Sequence, residues 1–150
     1  RYDDALAALR RGVELDASHY VLYLRLGLVY QQQGLAKEAI EAMRQAVALS
    51  GSGTEALAGL AQAHAAAGDK VAACKIVREL SESKTRYVSP YNIARIFASL
   101  AEPERAFEWL EKAYEEHNPD LIELLSEPTF QTLRTNTGFS NLARRIGWVD

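Results

Sequence analysis

The chain has 150 residues, and its hydrophobic share of 48% and charged share of 25% are typical of one soluble globular domain. A net charge of −3 without a basic stripe argues against nucleic-acid binding, and no apolar run approaches the roughly 20 residues that a membrane-spanning helix needs. Cys74 is the only cysteine, which excludes an internal disulfide and a cysteine-rich zinc site.

The first predicted helix runs from about Tyr2 to Leu15. Its residues Leu6, Leu9 and Val13 are spaced to lie on one apolar face. One neighbouring helix does not cover such a strip alone, so we expect part of it to be exposed, where two copies could pair. Ser18 follows a short break and is a candidate N-cap for the next helix.

Two helices joined by a tight turn are predicted within Tyr20–Gly53. The first extends from about His19 to Gln33 and contains Gly27, which lets a partner helix approach closely. Gly34 supplies the left-handed turn that a two-helix hairpin needs. The second helix is predicted over Ala36–Leu49.

The next helices are predicted from the signals at their ends. Thr54 is a good N-cap for an alanine-rich helix, whose partner runs from Asp69 to about Ser83. Ser89-Pro90 and Glu102-Pro103 each place a proline at the first position of a helix. The sequence therefore predicts four further helices in this stretch.

The helical pattern recurs with a nearly fixed period. Ala5, Ala39, Ala73 and Ala106 occupy corresponding positions, at separations of 34, 34 and 33 residues. Such a period is the signature of a solenoid, in which each unit packs mainly against its neighbours. We therefore predict an all-α solenoid of antiparallel helix pairs that forms a single domain over 1–150. Its expected parts are a half unit at about 1–17, units at 20–53, 54–86 and 87–119, and a cap at 120–150.

The predicted cap departs from this period. Leu121–Leu125 is about one and a half apolar turns, and short helices are predicted at Pro128–Leu133 and Gly138–Ile146. The last unit of a solenoid has an apolar face that must be covered. We expect the closing segment to cover it.

The segment Tyr23-x2-Leu26-Gly27-x2-Tyr30, followed by Ala39-x3-Met43, resembles the tetratricopeptide repeat. The resemblance covers about residues 1–118, although Ala61 and Ala94 replace the repeat glycine and Ala101 replaces the turn glycine. It implies a right-handed superhelix of antiparallel helix pairs, which binds its partner along the concave surface made by the first helix of each unit.

The end of the chain is similar to the closing segment of repeat arrays in large bacterial regulatory proteins, through Ser89-Pro90-Tyr91, Phe107-Glu108-Trp109-Leu110 and Phe139-x2-Leu142. Those arrays often follow a winged-helix transcription-factor domain, a serine/threonine kinase domain or a cyclase domain. The similarity implies a cytoplasmic scaffold within a larger regulator. The alternative is the periplasmic portion of a membrane-anchored regulator.

No catalytic or metal-binding constellation stands out in the sequence. His19, His64 and His117 lack the spacing of metal ligands, and His64 falls where the repeat places a core aromatic, which favours a packing role. Cys74 has cationic neighbours in sequence, but an inert, half-buried thiol is the favoured interpretation. We therefore expect no enzyme activity, no cofactor and no metal.

By the family's geometry, the first helices line a concave groove. The expected groove residues share helical faces through i, i+4 and i+7 spacing. They are Leu24, Leu28, Gln31, Gln32, Glu55, Gln62, Tyr91 and Arg95. Because Leu24 and Leu28 stand where chaperone-tail-binding members of the family carry their clamp, a carboxylate clamp is not expected.

The leading functional hypothesis is a module that holds a protein, either a peptide or a neighbouring domain, in this groove. A regulatory sensor pocket for a small ligand is one alternative, and a closed cavity of roughly 300–1,000 Å³ would favour it. Structural self-association is another alternative, for which a homodimer through the N-terminal helix is the expected form.

Overall fold

The computed structural model describes residues 1–147, which are helical without any strand. The chain divides into two compact units, Arg1–Tyr87 and Val88–Asp150. This division lies close to the predicted boundary between the units at 54–86 and 87–119. The assignment of 1–150 to a single domain stays a prediction, and each unit is described by itself.

The first unit consists of five α-helices in a row. They are α1 (Tyr2–Leu15), α2 (Tyr20–Gln32), α3 (Ala36–Leu49), α4 (Thr54–Ala66) and α5 (Lys70–Glu82). Each helix packs against the next, and α2 also packs against α4. Short connections make successive helices antiparallel neighbours. The predicted all-α solenoid of helix pairs is confirmed by this arrangement.

The core of the first unit forms where small residues let helices approach closely. Met43 of α3 is 1% exposed and fills the space beside two glycines. A Cβ atom on Gly27 would lie 2.6 Å from Cε of Met43, and one on Gly59 would lie 2.8 Å from its Sδ. The predicted close approach at Gly27 is therefore a contact between α2 and the Met43 side chain.

One hydrogen-bond pattern closes all three helix hairpins. At the first turn the Leu35 amide donates to the Tyr30 carbonyl oxygen at 2.9 Å, and Gly34 has φ of +73°. Gly68, after α4, occupies the position in its turn that Gly34 occupies in the first, with φ of +83°. Ala101 takes the same position after the helix Pro90–Ser99 with φ of +56°, a conformation that costs an L-residue energy that glycine avoids.

Two predicted caps are wrong in detail. Ser18 does not cap α2, because its hydroxyl donates at 2.6 Å to Oδ1 of Asp16 and so belongs to the preceding turn. Thr54 is the first residue of α4 rather than its N-cap, which is Gly53. The Thr54 hydroxyl instead donates to the carbonyl oxygen of Tyr87 at 3.0 Å. The Ser18 hydroxyl therefore has a local partner in the preceding turn, and the Thr54 hydroxyl has a partner that is distant in sequence.

The second unit begins with a helix hairpin and ends in shorter helices. Its elements are α6 (Pro90–Ser99), α7 (Pro103–Glu115), 3-10 helices at Pro119–Glu123 and Pro128–Leu133, and α8 (Thr137–Ile146). The second 3-10 helix packs on α6, and α8 packs on α7. Phe97, Leu110, Leu124, Phe130 and Leu142 are almost fully buried and form the interior of this unit.

Candidate functional site

The predicted groove residues of α2 differ widely in exposure. Gln32 is exposed, Leu28 and Gln31 are half-buried, and Leu24 is only 7% exposed. Leu24 packs in one cluster with Ala56 and Ala63 of α4, because alanine leaves room for a leucine between the two helices. Leu24 is therefore part of the core of the first unit rather than of an open face.

The α4 residues show the same contrast. Glu55, in the first turn, is exposed, whereas Gln62 is 6% exposed. Leu28, Gln31 and Gln32 lie in the second half of α2, and Glu55 lies in the first turn of α4, which packs against α2. Because α2 and α4 both run antiparallel to α3, Glu55 lies beside the start of α2, at the opposite end of the helix pair from Gln32. The accessible part of the predicted groove in this unit is thus made by these four residues, and their role in binding stays a prediction.

Tyr91 and Arg95 of α6 face the closing segment of their own unit. The Tyr91 ring is 2% exposed and meets Phe130 edge-on, with centroids 5.4 Å apart. Nε of Arg95 lies 3.2 Å from Oε2 of Glu127, an ion pair without hydrogen-bond geometry. Residues that sequence reasoning assigned to an open groove are therefore covered by Glu127 and Phe130.

Burial has an electrostatic consequence at Tyr91. Removal from water, followed by the nearby Glu127 carboxylate, raises the pKa of the Tyr91 hydroxyl, since both disfavour a phenolate. Within the described residues this buried hydroxyl has no hydrogen-bond partner. An unpaired buried polar group of this kind costs about 1–3 kcal/mol. For the contact between Tyr91 and Phe130, the sequence offered one signal, the aromatic residue Phe130 in the predicted cap.

The remaining candidates for chemistry show no catalytic arrangement. His64 is 8% exposed in α4, with Nδ1 at 3.4 Å from Oδ2 of Asp69, while Asp69 also accepts a hydrogen bond from the amide of Ala72. Cys74 is half-buried. Residues 1–147 contain no group of three His, Cys, Asp or Glu side chains that could hold a metal ion. Nor does this part of the chain include a helix whose length and apolar character would allow it to cross a bilayer.

Two surface hollows lie away from the predicted groove residues. A hollow of about 450 Å³ in the first unit is formed by Tyr23, Leu26 and Tyr30 of α2 with Lys37, Glu38 and Glu41 of α3. A hollow of about 610 Å³ in the second unit is lined by Tyr114, His117, Leu121, Ile122 and Arg145, among others. The sequence does not reveal either hollow, because tyrosines at repeat positions such as Tyr23 and Tyr30 can equally fill the space between helices.

The comparisons with known proteins agree with the hairpin geometry. Residues 20–52 match a family model described as the tetratricopeptide repeat, and this range contains α2 and α3. The comparisons with curated proteins and with solved structures found no match.

Proposed function

Because this is a tetratricopeptide-repeat protein, we propose that it acts as a protein-interaction module that holds a peptide or a neighbouring domain along the first helices of its repeats. Tetratricopeptide repeats are generally modules of this kind, and their scaffold is typically non-catalytic. The helix pairs α2–α3 and α4–α5 place their first helices side by side, as a continuous binding face requires.

The observation that carries the proposal is the packing of α2 against α4. It places the half-buried Leu28 and the exposed Gln32 on a helix next to one that starts with the exposed Glu55. An apolar side chain with an amide at one end of the helix pair and a carboxylate at the other suits a peptide that offers an apolar anchor and a basic group some distance apart. We therefore expect an extended or helical peptide with those two features as the ligand.

Selection from a random peptide library on the purified chain tests this proposal. We expect enriched peptides to lose at least about tenfold in affinity when Leu28→Arg and Glu55→Lys are combined, since the anchor site and the charge partner are both removed. Affinity is measured by isothermal titration calorimetry.

The matched control is Glu79→Lys on α5, which makes the same charge change as Glu55→Lys but at an exposed position on the second helix of a pair. Circular dichroism shows whether each variant keeps its helices. Equal affinities of the groove variant, the control and the unaltered chain would place the binding face elsewhere.

We also propose, from the similarity of the closing segment, that the module belongs to a larger bacterial regulatory protein that works in the cytoplasm. The net charge of −3 supports binding to protein rather than to nucleic acid. A small-ligand sensor is the second candidate function. The hollows of about 450 and 610 Å³ fall within the size range of ligand sites, but both are open surface hollows, whereas a closed cavity would favour a sensor.

A further inference from the structure

The hollow on α2 and α3 is an apolar surface with a charged border. We call it the tyrosine hollow, formed by Tyr23, Leu26, Tyr30, Lys37, Glu38 and Glu41. Its α2 residues follow i, i+3 and i+7 spacing and therefore share one helix face. That face is turned by about 130° from the face that carries Leu24, Leu28 and Gln31. The tyrosine hollow is thus a second surface, independent of the proposed groove.

The floor of the hollow has the composition of an interface core. Tyr23 and Tyr30 are both half-buried and leave part of their rings accessible. Leu26 and Ala42 beneath them are held by Leu6 of α1. Tyrosine is among the residue types that most often carry binding energy at protein interfaces.

The border of the hollow carries charges of both signs in equal number. Lys37, Glu38 and Glu41 come from α3, and Arg10 comes from α1 through its hydrogen bond to the Tyr30 hydroxyl at 3.1 Å. None of these four side chains forms an ion pair with another residue in the described range 1–147. None of these four charges is neutralised by an ion pair within that range, although Arg10 is hydrogen-bonded to Tyr30 and Glu41 to Gln45.

A border with two cations and two anions can meet a copy of itself without net repulsion. Lys37 and Glu41 are four residues apart, so they lie on one face of α3 with opposite signs. Within the helix they do not pair, because Glu41 accepts a hydrogen bond from Gln45 at 3.0 Å instead. A two-fold axis between these positions would place Lys37 of each copy against Glu41 of the other.

We infer that the tyrosine hollow is a homodimer interface, in which the α3 helices of two copies cross antiparallel and exchange Lys37–Glu41 ion pairs over an apolar centre of tyrosines. A two-fold interface brings the same patch together from both copies and therefore requires such internal complementarity. The N-terminal strip is a poorer interface, since Leu6 is buried and Leu9 and Val13 already pack against α2.

A charge exchange at positions 37 and 41 tests this inference by sedimentation equilibrium on the full chain. We expect the unaltered chain to dimerise. Lys37→Glu and Glu41→Lys should each weaken the dimer at least about tenfold, because each variant sets like charges against each other twice. The double variant should regain the dimer, since the ion pairs re-form with the signs exchanged.

Three further measurements make the result decisive. Leu15→Glu, which alters the highly exposed end of α1, should leave the dimer unchanged, as should Glu55→Lys in the proposed groove. Circular dichroism should show equal helix content in every variant, because the altered residues are exposed. A monomer at all concentrations, unaffected single variants, or a double variant as weak as the single ones would each overturn the inference.

Discussion

Gly27 is a residue at which the backbone of α2 packs directly against a side chain of α3. A leucine there would overlap Met43, whose Cγ and Cε already lie 2.9 and 2.6 Å from the position of a Cβ atom. We expect Gly27→Leu to lower the free energy of unfolding by about 3 kcal/mol or more, because overpacking displaces the core. Gln32→Ala at an exposed position should change it by less than about 0.5 kcal/mol. Urea denaturation followed by circular dichroism measures both, and equal midpoints would contradict the close contact.

Ala101 occupies a turn position that favours glycine. Its φ of +56° is left-handed, and the Glu102 amide closes the turn by donating to Phe97 at 3.0 Å. We expect Ala101→Gly to raise the free energy of unfolding by about 1 kcal/mol, because glycine adopts this conformation without strain.

The reverse change at the equivalent turn is the control for Ala101. Gly68 has φ of +83°, and no atom lies within 4 Å of where its Cβ would be. Gly68→Ala should therefore lower the free energy of unfolding by about 1 kcal/mol through backbone conformation alone. Opposite signs for the two changes in urea denaturation would support the shared turn, and equal signs would exclude it.

Tyr91 carries a buried hydroxyl without a partner in the described residues. Tyr91→Phe removes the unpaired group and should keep or raise the stability of the fold, by up to about 1 kcal/mol. Tyr91→Ala should instead cost about 3–5 kcal/mol, because it empties a site that is 2% exposed.

The raised pKa of the Tyr91 hydroxyl leads to a prediction for the stability of the fold at alkaline pH. Burial raises its pKa in the folded chain above the ordinary value of 10.0, so the folded state holds this proton after the unfolded state has released it. The stability that this proton contributes is present below pH 10 and is lost as pH rises toward the folded-state pKa. The difference in melting temperature between Tyr91→Phe and the unaltered chain should grow above pH 10. A constant difference would argue against the burial.

At the scale of elements, the 3-10 helix Pro128–Leu133 holds α6 through an aromatic contact and an ion pair. Phe130 is fully buried against Tyr91, and Glu127 pairs with Arg95 just before the helix begins. We expect Phe130→Ala to cost about 3–5 kcal/mol in the stability of the second unit. Thr132→Ala, an exposed neighbour on the same short helix, should have little effect.

This element also shows how a short segment can be predicted in position while the residues that it covers are not. The boundaries Pro128–Leu133 agree with the sequence prediction, because proline fixes the first turn locally. Its docking against Tyr91 and Arg95 depends on contacts more than 30 residues apart. Thermal unfolding of Phe130→Ala followed by tyrosine fluorescence would report whether Tyr91 becomes exposed when this contact is lost.

At the scale of the whole chain, both proposed interactions use helix faces that the packing of the repeat leaves uncovered. The proposed groove on α2 and α4 and the tyrosine hollow on α2 and α3 use different sides of the same helix. A single helix can serve both because successive residues are turned by about 100°. Peptide binding and self-association would then be separable by the Glu55 and Lys37 variants.

The sequence by itself determined the helices, their pairing and the turns between them. The period of 34 residues and glycines such as Gly34 act over a few neighbouring residues, so they can be read without knowing the fold. Only the tertiary structure decided which polar and aromatic side chains are accessible. Tyr91 is covered by Phe130, and Leu24 packs among alanines of α4, because exposure depends on segments that are distant in sequence. Helical spacing predicts which residues share a face of a helix, whereas tertiary packing decides whether another segment covers that face.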